Sequence, residues 1–422
     1  MRTNYILKSV LTLAFFTGSL FSFQLKGEVV QVGDIAYNLN DELQTAETAV
    51  LPDGAKYSGV LVIPASIEAG GKNYAVVKIG DGSLRDAPGL TSVVIPEGLK
   101  TIGNSSFASC TGITSIILPA SVNAIEDWAF YGCSAMTSIN IPSGITTIGE
   151  HTFQNSGLTS ITLPSTVTSL KTCAFQDAAA LASINLENVT EIGAYSLLGT
   201  AITSATIGNV FSIKSEAFKN CTQLADVNFT GSVSIIEDWA FQNSGINSLV
   251  LPEGMLSLGS AFPDCANLSS VTIPKSIKIL KDWTFSSTAM EEMNVSWDAP
   301  QSVTVAENAF GNVTGTPEWK VPANLKSLYG EIWNGFPVVS VNPTGIEFVS
   351  GVNTTVYYAD GVLNLSNLLG HNVSVVSIDG RVITRFQVTS ENAKISLSLS
   401  SGIYLLYVAD ANKQTAIKFI AK

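Results

Sequence analysis

Residues 90 to 112 read L-T-S-V-V-I-P-E-G-L-K-T-I-G-N-S-S-F-A-S-C-T-G, and the same grammar returns at a period of 21 to 23 residues as far as about residue 315. Copies begin at Leu90, Ile113, Met136, Leu158, Leu181, Ile202, Leu224, Ile246, Leu268 and Met290. Each carries an apolar-polar alternation ending in Ile-Pro, then Ile-Gly, then Phe. A repeat of this length cannot bury its apolar positions alone, so it stacks on its neighbours as one coil of a solenoid. Within a coil the Leu-x-x-Val-x-Ile stretch predicts a short strand, which Pro ends by removing a ladder donor. Strands from successive coils then form a parallel sheet.

Outward from the repeats, residues 28 to 89 form a degenerate entry containing V-L-V-I-P at 60 to 64 and Y-A-V-V-K-I-G at 74 to 80. Atypical end repeats are expected because a terminal coil must cover the exposed core. Residues 316 to 345 read as a closing cap and linker: Val-Pro persists, the chain turns helical and aromatic, and V-N-P-T-G at 341 to 345 breaks it. From 346 to 422 the pattern changes to short alternating runs such as V-S-V-V-S-I and I-Y-L-L-Y-V, which predict a small antiparallel β-sandwich.

Composition bounds the function classes. The chain has 422 residues, 46% hydrophobic and only 13% charged, which supports a continuous core. Residues 1 to 25 combine Arg2 and Lys8 with an apolar run from Val10 to Phe23 and read as a signal peptide. Its loss takes the formal charge from −12 to −14, a surface that disfavours nucleic acid and anionic membranes. No other segment approaches the ~20 apolar residues of a membrane span. The mature protein is expected to be soluble, exported and outside the cytoplasm.

Catalysis and cofactors are not expected. The two histidines, His151 and His371, fall in different predicted domains, and no metalloprotease, phosphate-loop or nucleophile-elbow spacing occurs. The pairs Glu126–Asp127 and Glu237–Asp238 recur at one repeat position and read as a solvated face rather than as acid and base. The five cysteines show no metal spacing. Cys110, Cys133, Cys221 and Cys265 follow the coil's Phe by three residues, where other coils place Ser, Thr or Ala, so the position is a buried one. Cys110 and Cys133 occupy adjacent coils about 4.8 Å apart, which leaves either buried free thiols or a disulfide.

The repeats of residues 57 to 337, through their Ile-Pro, Ile-Gly and Phe followed by Cys, resemble the BspA-like bacterial leucine-rich repeats. The resemblance implies a leucine-rich repeat solenoid with a parallel β-sheet on one face and short helical or irregular turns on the other. Members of that family are secreted or surface proteins of bacteria, some of them adhesins for host matrix proteins or other cells, so the resemblance implies a protein secreted or held at a bacterial cell surface. Residues 370 to 422 are similar to the C-terminal sorting domain of the Bacteroidetes type IX secretion route, through I-D-G-R-V at 378 to 382, G-I-Y-L-L-Y-V at 402 to 408 and the terminal K-F-I-A-K. That resemblance implies export or attachment by this domain.

Two surfaces are candidate binding sites. The first is the strand face, where a Ser row is flanked by a row including Asn140, Thr162, Asn185, Thr206 and Asn228. It is flat, small and nearly uncharged until its C-terminal end. It reads either as a self-satisfying ladder or as a platform for a protein partner or a second copy. The second lies two residues before the coil's Phe or its substitute, where His151, Tyr195, Trp239 and Trp283 recur every 44 residues, always in coils that take five rather than six residues to reach the next copy. Trp128 occupies the same place in a longer coil. These rings either cover a packing gap or, if exposed, form a stripe two coils apart for a polysaccharide. Three functions stay open: an adhesin-like protein binding a macromolecular partner through the solenoid, a glycan-capture module, and a structural or assembly spacer.

Overall fold

The computed structural model describes residues 29 to 341 and 356 to 421, except 360, 367, 378 to 380, 391, 401, 411 and 412. The expected signal peptide and the start of the C-terminal domain at Ile346 lie outside the described residues. The chain divides into two compact units, one holding everything to Lys320 together with Leu328–Val338, the other holding Val321–Ser327 and Val339 onward.

The first unit is a stack of coils. Strands Leu90–Val94, Ser115–Ile116, Ser138–Ile139, Ser160–Ile161 and their successors to Glu292–Asn294 line one side. Where they pair they do so in parallel and in register by repeat position, with Ser138 opposite Ser115 and Ser270 opposite Glu292. The alternation works as expected: Leu249 is buried while Ser248 and Val250 on either side of it are exposed.

The far side carries turns and, in addition, a second parallel ladder. Its strands are mostly two residues long, as at Thr101–Ile102, Thr147–Ile148 and Ser169–Leu170, with the second residue facing the core. The Ile-Gly signature follows from this ladder. A Cβ on Gly103 would lie 2.5 Å from the Ile79 carbonyl oxygen, and one on Gly193 would lie 2.8 Å from that of Leu170. Only glycine lets the chain leave the strand so close to the preceding coil. Helix among the described residues is confined to one turn at Lys326–Tyr329 and a 3-10 turn at Pro300–Ser302.

Inside, the repeat's Phe residues form a ladder of parallel rings. Centroids are 5.2 Å apart for Phe107–Phe130, 5.5 Å for Phe130–Phe153 and 5.3 Å for Phe153–Phe175; the ladder resumes from Phe218 to Phe310. Leu197 interrupts it. The cysteines stand beside this ladder, all five buried and free. The thiol of Cys110 donates to the Leu84 carbonyl at 3.0 Å and that of Cys133 to the Phe107 carbonyl at 3.1 Å, each reaching the preceding coil. Burial pushes the Cys110, Cys221 and Cys265 thiols up to about 11, so they remain protonated.

The carboxylate pairs do more than face solvent. Asp127 accepts the Glu150 N–H and Asp238 the Ser260 N–H, both at 2.8 Å, each tying its coil to the next. Glu126 accepts from Lys78 and the Asn104 N–H, and Glu237 from Lys214 and Ser215. A buried aromatic cluster ends the stack: Trp297 donates to the Ile277 carbonyl, Trp319 to the Trp333 carbonyl, and Phe310 meets Trp319 edge-on at 5.6 Å.

The second unit is antiparallel throughout its described strands. Val356–Ala359, Val362–Ser366 and Asn392–Ser396 form one sheet; Val382–Gln387, Asn372–Ser377, Gly402–Asp410 and Lys413–Ala421 form the other. Leu363, Leu365, Val373, Val375 and Leu406 fill the core between them.

Candidate binding site

The strand face is solvent-exposed along its length. Asn140, Thr162 and Asn228 are exposed, and Asn185 and Thr206 are half-buried. Two of these side chains are already engaged in the solenoid. Asn140 accepts the Leu118 N–H at 2.7 Å and donates to the Leu118 carbonyl at 2.8 Å, and Asn185 makes the same pair of bonds to Leu163. They extend the ladder one residue beyond the strands, which leaves their amides little to offer a ligand. The N-terminal end of the face is apolar. Val60, Val62 and Val94 are exposed, and Ile117 is 80% exposed. Val62 pairs with Val94, and Ile117 holds the same repeat position one coil further on.

The second surface is the corner before each Phe. Chain geometry there is unusual: Trp128, His151, Cys173, Tyr195, Glu216, Trp239 and Trp283 all adopt φ between 55° and 66°. This left-handed region costs a non-glycine residue about 1–2 kcal/mol. Backbone bonds hold the conformation, since the N–H groups of Trp128, His151, Cys173, Tyr195, Trp239 and Trp283 donate to the following coil, as from Trp239 to the Ser260 carbonyl at 2.9 Å.

The rings of this row differ in what they touch. Trp128 and His151 stack face to face with centroids 3.8 Å apart, and Tyr131 leans on Trp128 at 5.1 Å. His151 also bonds Gln154 at 2.5 Å. Tyr195 hydrogen-bonds Glu216, which raises its phenol above the ordinary range, and Glu216 pairs with Lys219 at 2.7 Å. Trp239 and Trp283 are 47% and 51% exposed. Neither stacks on another ring among the described residues.

Between these two coils the corner is one residue shorter. Four steps separate Leu258 from Phe262, where Ile236 to Phe241 and Leu280 to Phe285 take five. Ser260 does not enter the left-handed region, and its hydroxyl donates to the Asp282 carbonyl of the following coil at 2.6 Å. The deletion is readable by counting from the Ile-Gly position to Phe. The Trp128–His151 stack also had a signal, since rings stand at the same place in consecutive coils.

A broad concavity of about 1350 Å³ opens over the entry sheet, lined in part by Asn38, Asp41, Glu47, Lys72 and Lys78. Two of its lysines pair locally, Lys72 with Asp41 at 2.9 Å and Lys78 with Asp81 at 2.7 Å. Among the described residues no group of three His, Cys, Asp or Glu side chains comes together as a metal site would require.

Residues 77 to 344, well over half the chain, match the BspA type leucine rich repeat region in overlapping stretches 77–200, 146–260, 190–315 and 250–344. The chain belongs to the BspA-type leucine-rich repeat family. Residues 356 to 422 match the secretion system C-terminal sorting domain, so this BspA-type protein is secreted or carried at the cell surface. No helix of the described residues is long and apolar enough to cross a membrane. Among solved structures, the fold is similar to that of a leucine-rich repeat protein from Bacteroides ovatus, at 19% identity and a TM-score of 0.52, covering 74% of this chain and 99% of that one. A leucine rich cell surface protein from Faecalibacterium prausnitzii matches at 23% identity and a TM-score of 0.39, over 72% of this chain and 97% of that one. No curated protein matches the chain.

Proposed function

We propose that this is a non-catalytic, adhesin-like surface protein whose solenoid binds a protein partner, from the extracellular matrix or another cell, through the strand face. The observation that carries the reading is the exposed apolar run Val60, Val62, Val94 and Ile117. Single exposed apolar residues are ordinary, but a contiguous group on a flat uncharged face marks an interaction surface. Ser92, Ser115, Ser138 and Asn140 border it with polar groups, the arrangement of an apolar centre inside a polar rim. The same flat side continues over many coils, which suits a partner of macromolecular size.

The test is binding of the full mature chain to a panel of immobilised matrix proteins, with Val94→Asp/Ile117→Asp as the disrupted variant. Both side chains are exposed, so the fold should survive the change. The reading expects at least one partner and a loss of affinity of roughly tenfold or more, about 1.4 kcal/mol. Silence across the panel, or full affinity in the variant, would count against it. The sorting domain has its own test: a chain lacking residues 346 to 422 should accumulate without reaching the surface.

A further inference from the structure

The corner row holds a second surface, unrelated in position to the strand face. Most coils pass through the left-handed region twice, two residues before and two residues after the Phe. The later place is occupied mostly by residue types that tolerate that conformation, Asn155, Asp177, Asn220, Asn243, Asp264, Gly132 and Gly199, with Ser109 and Ser287 as exceptions. The earlier place carries Trp239 at φ 60° and Trp283 at φ 66°. Packing uses only part of these rings, because about half of each stands in solvent. At Trp239 the strain is retained against the preference that Asn243 obeys four residues later, and both rings keep it while standing half in solvent, as suits side chains kept for contact.

We propose that Trp239 and Trp283 form a binding ridge for a neutral, extended, β-linked polysaccharide. Three observations select this ligand. The rings lie two coils apart, roughly 9.6 Å at the parallel strand spacing. An extended β-1,4-linked chain turns over at each sugar, so alternate sugars present the same face at about that repeat, and each can lie on one indole. The shortened corner between the rings carries only the small Ser260, whose hydroxyl is tied to the Asp282 carbonyl, so no bulky side chain at that corner lifts the chain off them.

The flanks supply groups for sugar hydroxyls: Gln242, which donates to Asp264 at 2.9 Å, and Lys281, which faces Asp238 at 3.7 Å. With Asp282 these make three carboxylates to one ammonium, a field that repels uronic acid or sulfated chains and leaves neutral ones. The ridge ends on the N-terminal side of this pair. Towards the N-terminus Glu216 is committed to Tyr195 and Lys219, and further on Trp128 and His151 cover one another.

The experiment is calorimetric titration of the full mature chain with cellohexaose, with maltohexaose as the coiled α-linked control and heparin as the polyanionic one. Binding of cellohexaose alone is expected, weakened roughly tenfold by Trp239→Ala or Trp283→Ala, lost in the double variant, and partly kept by Trp239→Tyr. Trp128→Ala should bind normally, and thermal melts of each variant separate loss of the ridge from loss of the fold. Absence of cellohexaose binding at millimolar ligand overturns the proposal, as does equal binding of maltohexaose or heparin. Undiminished binding by a folded double variant, or loss of a protein partner by it, overturns it as well. Val94→Asp/Ile117→Asp should bind the oligosaccharide normally, so failure of the ridge and failure of the strand-face reading are told apart.

Discussion

The two left-handed corners of a coil, four residues apart on either side of the same Phe, are built on opposite terms. After Phe241 stands Asn243, whose short amide suits φ 54° and donates to Asn220 Oδ1 at 3.0 Å in the preceding coil. Before it stands Trp239, bulky and half exposed at φ 60°. One corner follows conformational preference and the other overrides it. In a repeat protein this contrast is informative because each coil supplies its own control: backbone geometry is held constant while the side chain varies. The corner after Phe turns the chain. On the proposed ridge, the corner before Phe turns the chain and, at Trp239 and Trp283, also presents a ring.

The Phe between the corners sets the scale of structural loss. Phe241 is fully buried between Phe218 at 4.8 Å and Phe262 at 5.1 Å, so Phe241→Ala should cost about 3–5 kcal/mol in denaturant unfolding. Next in size is Asn243→Val. A β-branched residue forced to φ 54° and deprived of the amide bond should cost about 2 kcal/mol, and a change below a few tenths would remove the argument that this corner selects its residues.

Smaller still is Trp239→Asn. Relief of about 1–2 kcal/mol of left-handed strain offsets most of the stabilisation that a half-buried ring supplies, so stability should stay within about 1 kcal/mol of the parent.

The smallest effect belongs to the far ladder, where coils are coupled by charge rather than by turn geometry. Hydrogen bonds from Lys171 and Ser169 hold the Glu191 carboxyl below its ordinary 4.5. A carboxylate depressed in the folded state stabilises it fully above the unfolded value and loses that contribution as pH falls through the folded one. Melting temperature should therefore hold through neutral pH and fall below about 4.5, with a shallower fall in Glu191→Gln. Lys171 and Glu191 are largely exposed, which keeps the difference slight.

Much of this architecture is legible in residues 90 to 112 and their copies, because burial on one strand face imposes a period and an alternation that composition alone would not produce. The C-terminal strands announce themselves in the same way. The far ladder is harder to read: a pair such as Thr101–Ile102 is too short to show alternation, and Gly103 looks like a turn until its distance from Ile79 is known. Glu126, Asp127 and Asp238 read as solvated carboxylates because nothing in one coil reveals that their partners are N–H groups a coil away. Asn140 and Asn185 look like platform residues for the same reason.

The aromatic row is visible as a spacing of 44 residues from His151 to Trp283. Its meaning depends on quantities that spacing does not carry. Exposure separates Trp239 and Trp283 from the mutually stacked Trp128 and His151, and φ shows that the row sits where large residues are disfavoured.

The most direct test of the claim that this corner presents rather than merely turns is the double variant Trp239→Asn/Trp283→Asn, with unfolding and cellohexaose titration measured on the same preparation. The account predicts stability within about 2 kcal/mol of the parent together with complete loss of oligosaccharide binding. A loss of stability near that of Phe241→Ala, about 3–5 kcal/mol for each ring, would show that the rings are packing and would contradict it.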